Sequence, residues 1–333
     1  MIKFSKSTFF IIAFQCFFCS ILLSQDNKKL AQTGFQFLSV TSDARAAGMG
    51  NAVTATGLGS SSLFFNPAGL ALMNTKMDLS FSNNSWIADI SHNSFSFGFK
   101  PSAGRLGVFG ITAHSVDYGE ILGTVVATNE LGYEDTGIIK PTALSLGLGY
   151  GKSLSDRFSV GARVSMVSQD LGAAVIQESD TATAEIKNSL SVLSFDFGTH
   201  FKTGIPGLDF GMSVRNFSQE VKYADEGFQL PLNFTLGISA DLITLTGRRI
   251  PGNSMNLQID ATHPRSHPEE ILVGLEYSPI PFLSFRGGYI SNQDEIDVMF
   301  GAGLSTGKIS FDYALTPFGI FDNVQRVTIR MSL

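Results

Sequence analysis

The chain has 333 residues, of which 44% are hydrophobic, 34 are glycine and 29 are phenylalanine. That is enough apolar material for a large core, and it excludes a disordered polymer. Only 16% of residues are charged and the net charge is −6, against about 25% charged residues in an ordinary globular domain; with no basic stripe, nucleic acid is excluded as a partner. Two classes remain, a large soluble β-protein and a barrel whose outer face is solvated by lipid.

Residues 1–25 read as a secretory signal peptide. Lys3 and Lys6 form its positive end, Phe9 to Phe18 and Ile21 to Leu23 its short apolar core, and Ser24 begins the polar exit. The core is too short and interrupted for a membrane span, which needs about 20 apolar residues. Both cysteines, Cys16 and Cys19, lie in this leader without a lipoprotein cleavage sequence before them. A mature chain starting near Gln25 or Asp26 has no cysteine, which excludes disulfides, thiolate metal sites and a cysteine nucleophile. Losing Lys3 and Lys6 takes the net charge from −6 to −8.

Residues 26–76 form the next unit. From Ala31 to about Lys76 the sequence is rich in Gly, Ala, Ser and Thr without alternation, and predicts compact coil with one or two short helices.

From 77 to 333 the pattern changes to period two, which places successive side chains on opposite faces of a strand. Phe158, Val160, Ala162, Val164 and Met166 oppose Ser159, Gly161, Arg163 and Ser165. Val327, Ile329, Met331 and Leu333 oppose Thr328, Arg330 and Ser332. Such segments predict strands near 77–84, 93–100, 104–117, 139–153, 157–170, 189–203, 207–217, 231–245, 253–263, 269–279, 282–291, 295–304, 308–315 and 324–333. Fourteen is an even number, as a single-chain outer-membrane barrel requires for both strand ends to share a side. Tight turns at 101–104, 154–156, 203–206 and 305–307 contrast with long polar connections near 118–138, 171–188 and 218–230, the pattern of periplasmic turns and outer loops.

The polar faces separate a sandwich from a membrane barrel. A soluble sandwich would carry Lys and Glu there; these faces carry Ser, Thr, Gly and Asn with isolated charges, which fit a narrow lumen. Aromatic residues recur at strand ends, among them Phe95, Tyr150, Phe201, Tyr277, Phe282, Tyr289 and Tyr313, and suit an interfacial girdle as well as plain β-propensity. The predicted fold is all-β: a 14-stranded antiparallel transmembrane β-barrel over 77–333.

The leader-proximal segment carries a resemblance. Phe37-Leu38-Ser39-Val40, then Ser42 through Ala52 (SDARAAGMGNA), then Leu63 through Ala71 (LFFNPAGLA) resemble the N-terminal signature of the PorV/PorQ family, within the group of outer-membrane barrels typified by the FadL transporters. The resemblance implies that the N-terminal segment folds into the lumen as a hatch carrying the Asn-Pro-Ala element. It also implies an outer-membrane location and a part in type IX secretion. The hatch residues are then Arg45, Gly48, Gly50, Asn66, Pro67 and Ala68.

The chemistry of these residues supports close packing in a lumen. Ala46, Ala47, Gly48 and Gly50 lack bulk, and Asn66-Pro67 starts a turn or a helix with Pro at its first position. Arg45 is expected to pair with an inward acid such as Asp196, Asp241, Asp260 or Asp312. The candidate lumen charges are Arg163, Asp196, Asp241, Asp260, Glu276, Arg286, Asp297, Asp312 and Arg330.

Catalytic and metal motifs fail. Gly151-Lys152-Ser153 lacks the first glycine of a phosphate loop, because position 146 is Leu. His263 and His267 have metal-like spacing, but Pro264 and Pro268 break any helix that would align them. Ser194, Asp196 and His200 share a strand face, yet Asp196 and His200 stand about 13 Å apart at about 3.3 Å per residue. The expected protein is no enzyme and carries no cofactor or metal. Two functions stay open: a secretion accessory that binds secretion-system or cargo proteins, and a FadL-like conduit for a hydrophobic ligand. Membrane lipid is a partner in both.

Overall fold

Alternation decides which side of each strand meets lipid. In the computed structural model, which describes residues 33–179, 182–223, 226–247, 252–293 and 296–333, strand β1 (Met77–Ser85) buries Asp78, Ser80, Ser82 and Asn84 and exposes Phe81. The same division holds along β2 (Ser91–Phe99), β3 (Val108–Asp117) and β6 (Thr142–Ser153), where Leu144, Leu146 and Leu148 point outward and Ser145 inward. Apolar side chains that water would reject therefore cover the outside, and short polar ones line the inside.

The ring continues with β7 (Phe158–Ser179), β8 (Ala182–Lys202), β9 (Leu208–Ser218), β12 (Asn233–Asp241), β13 (Ser254–Pro264), β14 (Glu270–Ile280), β15 (Leu283–Ile290), β16 (Val298–Ser305), β17 (Ile309–Phe318) and β18 (Phe321–Ser332). All pairs are antiparallel, and β1 pairs with β18 to close a barrel of fourteen strands. The seam runs from Asp78 opposite Ser332 to Ser85 opposite Gln325. Closure leaves no edge strand within the ring, so each strand there pairs its backbone with a neighbour on both sides instead of presenting a free edge to lipid.

The two ends differ. One rim carries the connections 100–107, 154–157, 203–207, 242–253, 281–282 and 306–308, together with the start of β1 and the end of β18; we call it the short-turn rim. The opposite, long-loop rim carries 118–141, which contains the hairpin β4 (Ile121–Val126) and β5 (Tyr133–Ile139). It also carries 219–232, with the small pair β10 (Val221–Lys222) and β11 (Gly227–Phe228).

Several boundaries depart from the sequence reading, among them the starts of β3 (108, expected at 104) and β6 (142, expected at 139) and the end of β17 (318, expected at 315); three others change the architecture or its ends. The stretch 171–188, expected as a loop, is the continuation of β7 and β8, which stay paired to Ser179 opposite Ala182. Their neighbours stop earlier, β6 at Thr142 opposite Asp170 and β9 at Ser218 opposite Ser194. A two-stranded ribbon thus stands about 30 Å beyond the ring, at about 3.3 Å per residue. Second, 242–245 is not strand but a helical turn, α2 (Leu242–Leu245), because the Asp241 carboxylate accepts the Ile243 and Thr244 N–H groups and caps it. Third, β18 starts at Phe321, three positions before the expected 324. The signal peptide and the mature start lie outside the described residues.

Residues 33–73 fill the ring. They contain α1 (Ala44–Gly48) and three 3-10 turns at Gln36–Ser39, Gly59–Phe64 and Pro67–Leu72. The path starts at the long-loop rim, where Thr33 bridges to Gln229 and Phe35 and Phe37 pack with Val116, Ala143, Val167, Val192 and Leu230. It ends at the short-turn rim, where Met73 reaches Gly98 and accepts a hydrogen bond from Lys100.

Candidate functional site

The interior segment meets the wall through glycines. Inward positions on neighbouring strands lack a side chain where the segment passes: Gly198 faces Asn66, Gly161 faces Pro67, Gly288 faces Gly50 and Gly301 faces Gly48. A Cβ at Gly288 would stand 2.0 Å from the Gly50 nitrogen, and one at Gly161 would stand 2.3 Å from the Pro67 carbonyl carbon. Backbone therefore lies on backbone, at a distance that no other residue allows.

Within the segment, local rules explain the short elements. Asp43 accepts the Ala46 N–H at 3.0 Å and caps α1. The helix stops after one turn because Gly50 and Asn51 both take left-handed backbone conformations, with φ of 61°. Asn66 caps the last 3-10 turn through the Ala68 N–H at 3.1 Å, with Pro67 at its first position. The Asn66 amide also donates to the carbonyls of Thr54 (2.7 Å) and Thr199 (2.9 Å), tying two stretches of the segment and β8 together.

Charged wall residues then grip this frame. Arg45 does not pair with Asp196, Asp241, Asp260 or Asp312, as the sequence suggested. Its guanidinium makes a two-pronged contact with Glu276, at 2.8 and 2.7 Å. Arg286 donates to the same carboxylate at 2.6 Å and to Asp312 at 2.8 Å, giving an alternating chain of four charges whose wall members are all buried. Arg330 donates to Asp43 at 2.9 Å and to Ser61 at 3.3 Å. Asp260 accepts the Val53 and Thr54 N–H groups at 3.0 and 2.9 Å. Arg163 pairs with Asp196 at 2.5 Å and lies over the Phe64 ring.

Two candidate lumen charges stand elsewhere. Asp241 sits at the short-turn rim as the α2 cap, and Asp297 is exposed on the long-loop connection 291–297. Four gripping residues escaped the sequence reading. Asp78 accepts from Ser60 through both its N–H (2.7 Å) and its hydroxyl (2.6 Å); it shares the parity of Ser80 and Ser82, which could have found it. Arg326 donates to the Thr41 carbonyl at 2.7 Å and is one alternation step before Thr328. Arg215 donates to the Phe64 carbonyl at 2.8 Å. Beside it Asn216, at φ 60°, forms a bulge opposite Asp196 and gives its N–H to that carboxylate at 2.6 Å.

The other motifs resolve into separate contacts. Lys152 pairs across β6 and β7 with Val160, in regular strand. His263 meets Glu269 at 3.1 Å and His267 meets Ser266 at 2.8 Å. Asp196 belongs to Arg163, whereas His200 contacts the Ala55 carbonyl at 3.2 Å.

Among the described residues, the two larger cavities along the segment differ in character. A polar one of about 390 Å³ lies toward the short-turn rim, lined by Arg45, Asp78, Glu276, Arg286, Asp312 and Arg330. A largely apolar one of about 590 Å³ opens at the long-loop rim, lined by Phe35, Phe37, Trp86, Tyr118, Tyr223 and Phe228. Burial pushes the Tyr223 phenol up to about 12 and raises that of Tyr118, so both rings stay neutral under ordinary conditions.

Comparisons with known proteins agree with this geometry. A family model described as "Type IX secretion system protein PorV" matches residues 23–260. No curated protein matches the chain by sequence. Among solved structures, the Ralstonia pickettii toluene transporter TbuX superposes with a TM-score of 0.60 at 14% identity, over 89% of this chain and 99% of that one. The CymD monoaromatic hydrocarbon channel gives 0.60 at 11% identity, over 88% and 98%. A Pseudomonas aeruginosa FadL homologue gives 0.55 at 10% identity, over 88% and 98%. At these identities the likeness is one of fold alone, a closed 14-stranded barrel.

Proposed function

Because the chain belongs to the PorV family of type IX secretion system proteins, we propose that it serves secretion from the outer membrane as a closed, non-catalytic barrel that binds secretion-system or cargo proteins. One observation carries this reading above the others: the lumen is occupied from rim to rim by a segment held to the wall by Arg45, Asp260, Asn66 and Arg330. A barrel so filled offers partners its rims and loops. The short-turn rim faces the periplasm and the long-loop rim the exterior, since single-chain outer-membrane barrels keep short turns inside. The exterior then presents the β4–β5 hairpin, whose Leu122, Val126, Leu131 and Ile138 are all exposed, and exposed apolar groups above a membrane mark interaction surfaces.

The second reading, a conduit for hydrophobic small molecules, draws on the apolar cavity at the long-loop rim. Its neutral aromatic lining suits an apolar guest, and the toluene and monoaromatic channels share the fold. One experiment separates the two. Ser60 and Ser96 hydroxyls are 2.8 Å apart, one on the segment and one on β2, and residues 26–333 contain no cysteine to interfere. The S60C/S96C disulfide locks the lumen shut. In a host that secretes by the type IX route, the locked variant should restore cargo release to a deletion strain. Failure to restore it, while the reduced form succeeds, would mean that the interior must open.

A further inference from the structure

The short-turn rim pairs basic with apolar side chains. Arg105 precedes Leu106, Arg157 precedes Phe158, and Lys308 precedes Ile309; all six are exposed, with Leu106 at 58% and Ile309 at 52%. Lys76 stands exposed just before β1. Leu154 (59%) adds an exposed apolar group beside Arg157, and Ile205 (54%) and Phe282 (57%) add two on other turns of this rim. Among the described residues, none of these four cations forms an ion pair. The acids of this rim are mostly committed, Asp241 to capping α2 and Asp78 to Ser60, while Asp156 stays exposed.

The opposite rim reverses the sign. Glu120, Glu130, Glu134, Asp135, Glu220 and Glu226 are exposed there and outnumber the exposed cations, which among the described residues are Lys140, paired with Glu120, together with Lys187 and Lys222. The molecule is electrically polar along its axis.

From this arrangement we propose that the short-turn rim is a collar for anionic phospholipid headgroups. The apolar member of each pair enters the acyl boundary and the basic member stays at headgroup level, the division that long cationic side chains adopt at an interface. The pairs sit on separate turns, between β2 and β3, β6 and β7, and β16 and β17, which with Lys76 before β1 follow one another around one half of the ring and leave the turns from β8 to β15 without a pair. A lipid annulus needs only separate cations at one depth. Each cation is expected to enrich an anionic headgroup about fivefold at low salt, the factor given by about 1 kcal/mol per basic residue near a charged surface. The proposal rests on the outer-membrane placement and not on the secretion reading.

The test uses the full mature protein in nanodiscs of equal phosphatidylcholine and phosphatidylglycerol, followed by mild extraction and mass analysis of the retained lipids. Phosphatidylglycerol should dominate the retained shell at low salt. The excess should vanish at about 1 M salt, where screening acts within about 3 Å, and in the R105Q/R157Q/K308Q variant. It should survive in an E130Q/E134Q/D135N variant of the opposite rim. A wild-type shell matching the bulk ratio, or an excess that persists in the basic-rim variant, overturns the collar. The salt arm needs no variant to fold, and cargo release in cells is a separate readout, so the two proposals fail independently.

Discussion

Glu276 is shared between two arginines of different origin, one from the interior segment and one from the wall. The two are not equivalent. Arg45→Met leaves Glu276 with Arg286, and its cost should be about 1–3 kcal/mol, that of one lost charged hydrogen-bond pair. Arg286→Met removes a partner from both Glu276 and Asp312 and should cost about 3–5 kcal/mol. The temperature at which the unheated gel mobility is lost should fall further for Arg286→Met than for Arg45→Met; equal losses would mean that Asp312 finds another partner. Gly288→Val tests the wall in a different way. Its side chain would enter the space of the Gly50 backbone, so the segment should lose its seat while the strands stay paired. A raised single-channel conductance with unchanged strand content by circular dichroism is the expected result.

At the scale of elements, the ribbon of β7 and β8 changes where a protease should cut. A paired strand resists cleavage, and an exposed turn does not. Protease added to intact cells should therefore cut first near Asn129 to Gly132, where Leu131 is 72% exposed and Gly132 has φ of 77°, and not in 171–179. First cuts at 101–104 or 154–157 would invert the orientation. All fourteen barrel strands were legible from alternation, because lipid on one side and a packed lumen on the other impose period two. What was not legible follows from breaks in that rule. The Asn216 bulge resets parity, so Val214 and Phe217 both face outward although they are three apart. The ribbon has no lumen to enforce alternation, so its sequence looks like a loop. Arg45 could not be assigned to Glu276 because the depth at which a segment lies inside a ring is a property of three dimensions, whereas the inward acids were visible from parity alone.

For the whole molecule, the interior segment and the wall are separable in principle. Lipid-facing pairing and the β1–β18 seam involve no residue before Met77. Removing residues 31–75 should leave a barrel that runs as a folded species on gels and conducts far more in planar bilayers than the full chain. Unchanged conductance would mean that loops, not the segment, seal the lumen. The polarity of the two rims belongs to this scale too, since it emerges only when separate turns and strand ends are gathered at two depths by the fold; no local window of sequence contains it.

The route of residues 33–73, entering at one mouth and leaving at the other, also sets an order of events. The segment touches strands all round the ring, from Asp78 on β1 through Gly198 on β8 to Gly301 on β16, and the seam that closes the ring uses the last residues of the chain. A finished cylinder cannot be threaded by a chain with helical turns wider than its remaining gaps, so the ring must zip shut around a core already in place. In the full chain the N-terminal segment is then enclosed during biogenesis, as the strands close around it, and is not inserted afterwards. A synthetic peptide of residues 31–75 should therefore quench conductance when refolded together with the truncated barrel. Added after the barrel has closed, it should leave conductance high; equal quenching in both orders would show that the ring can admit its core late.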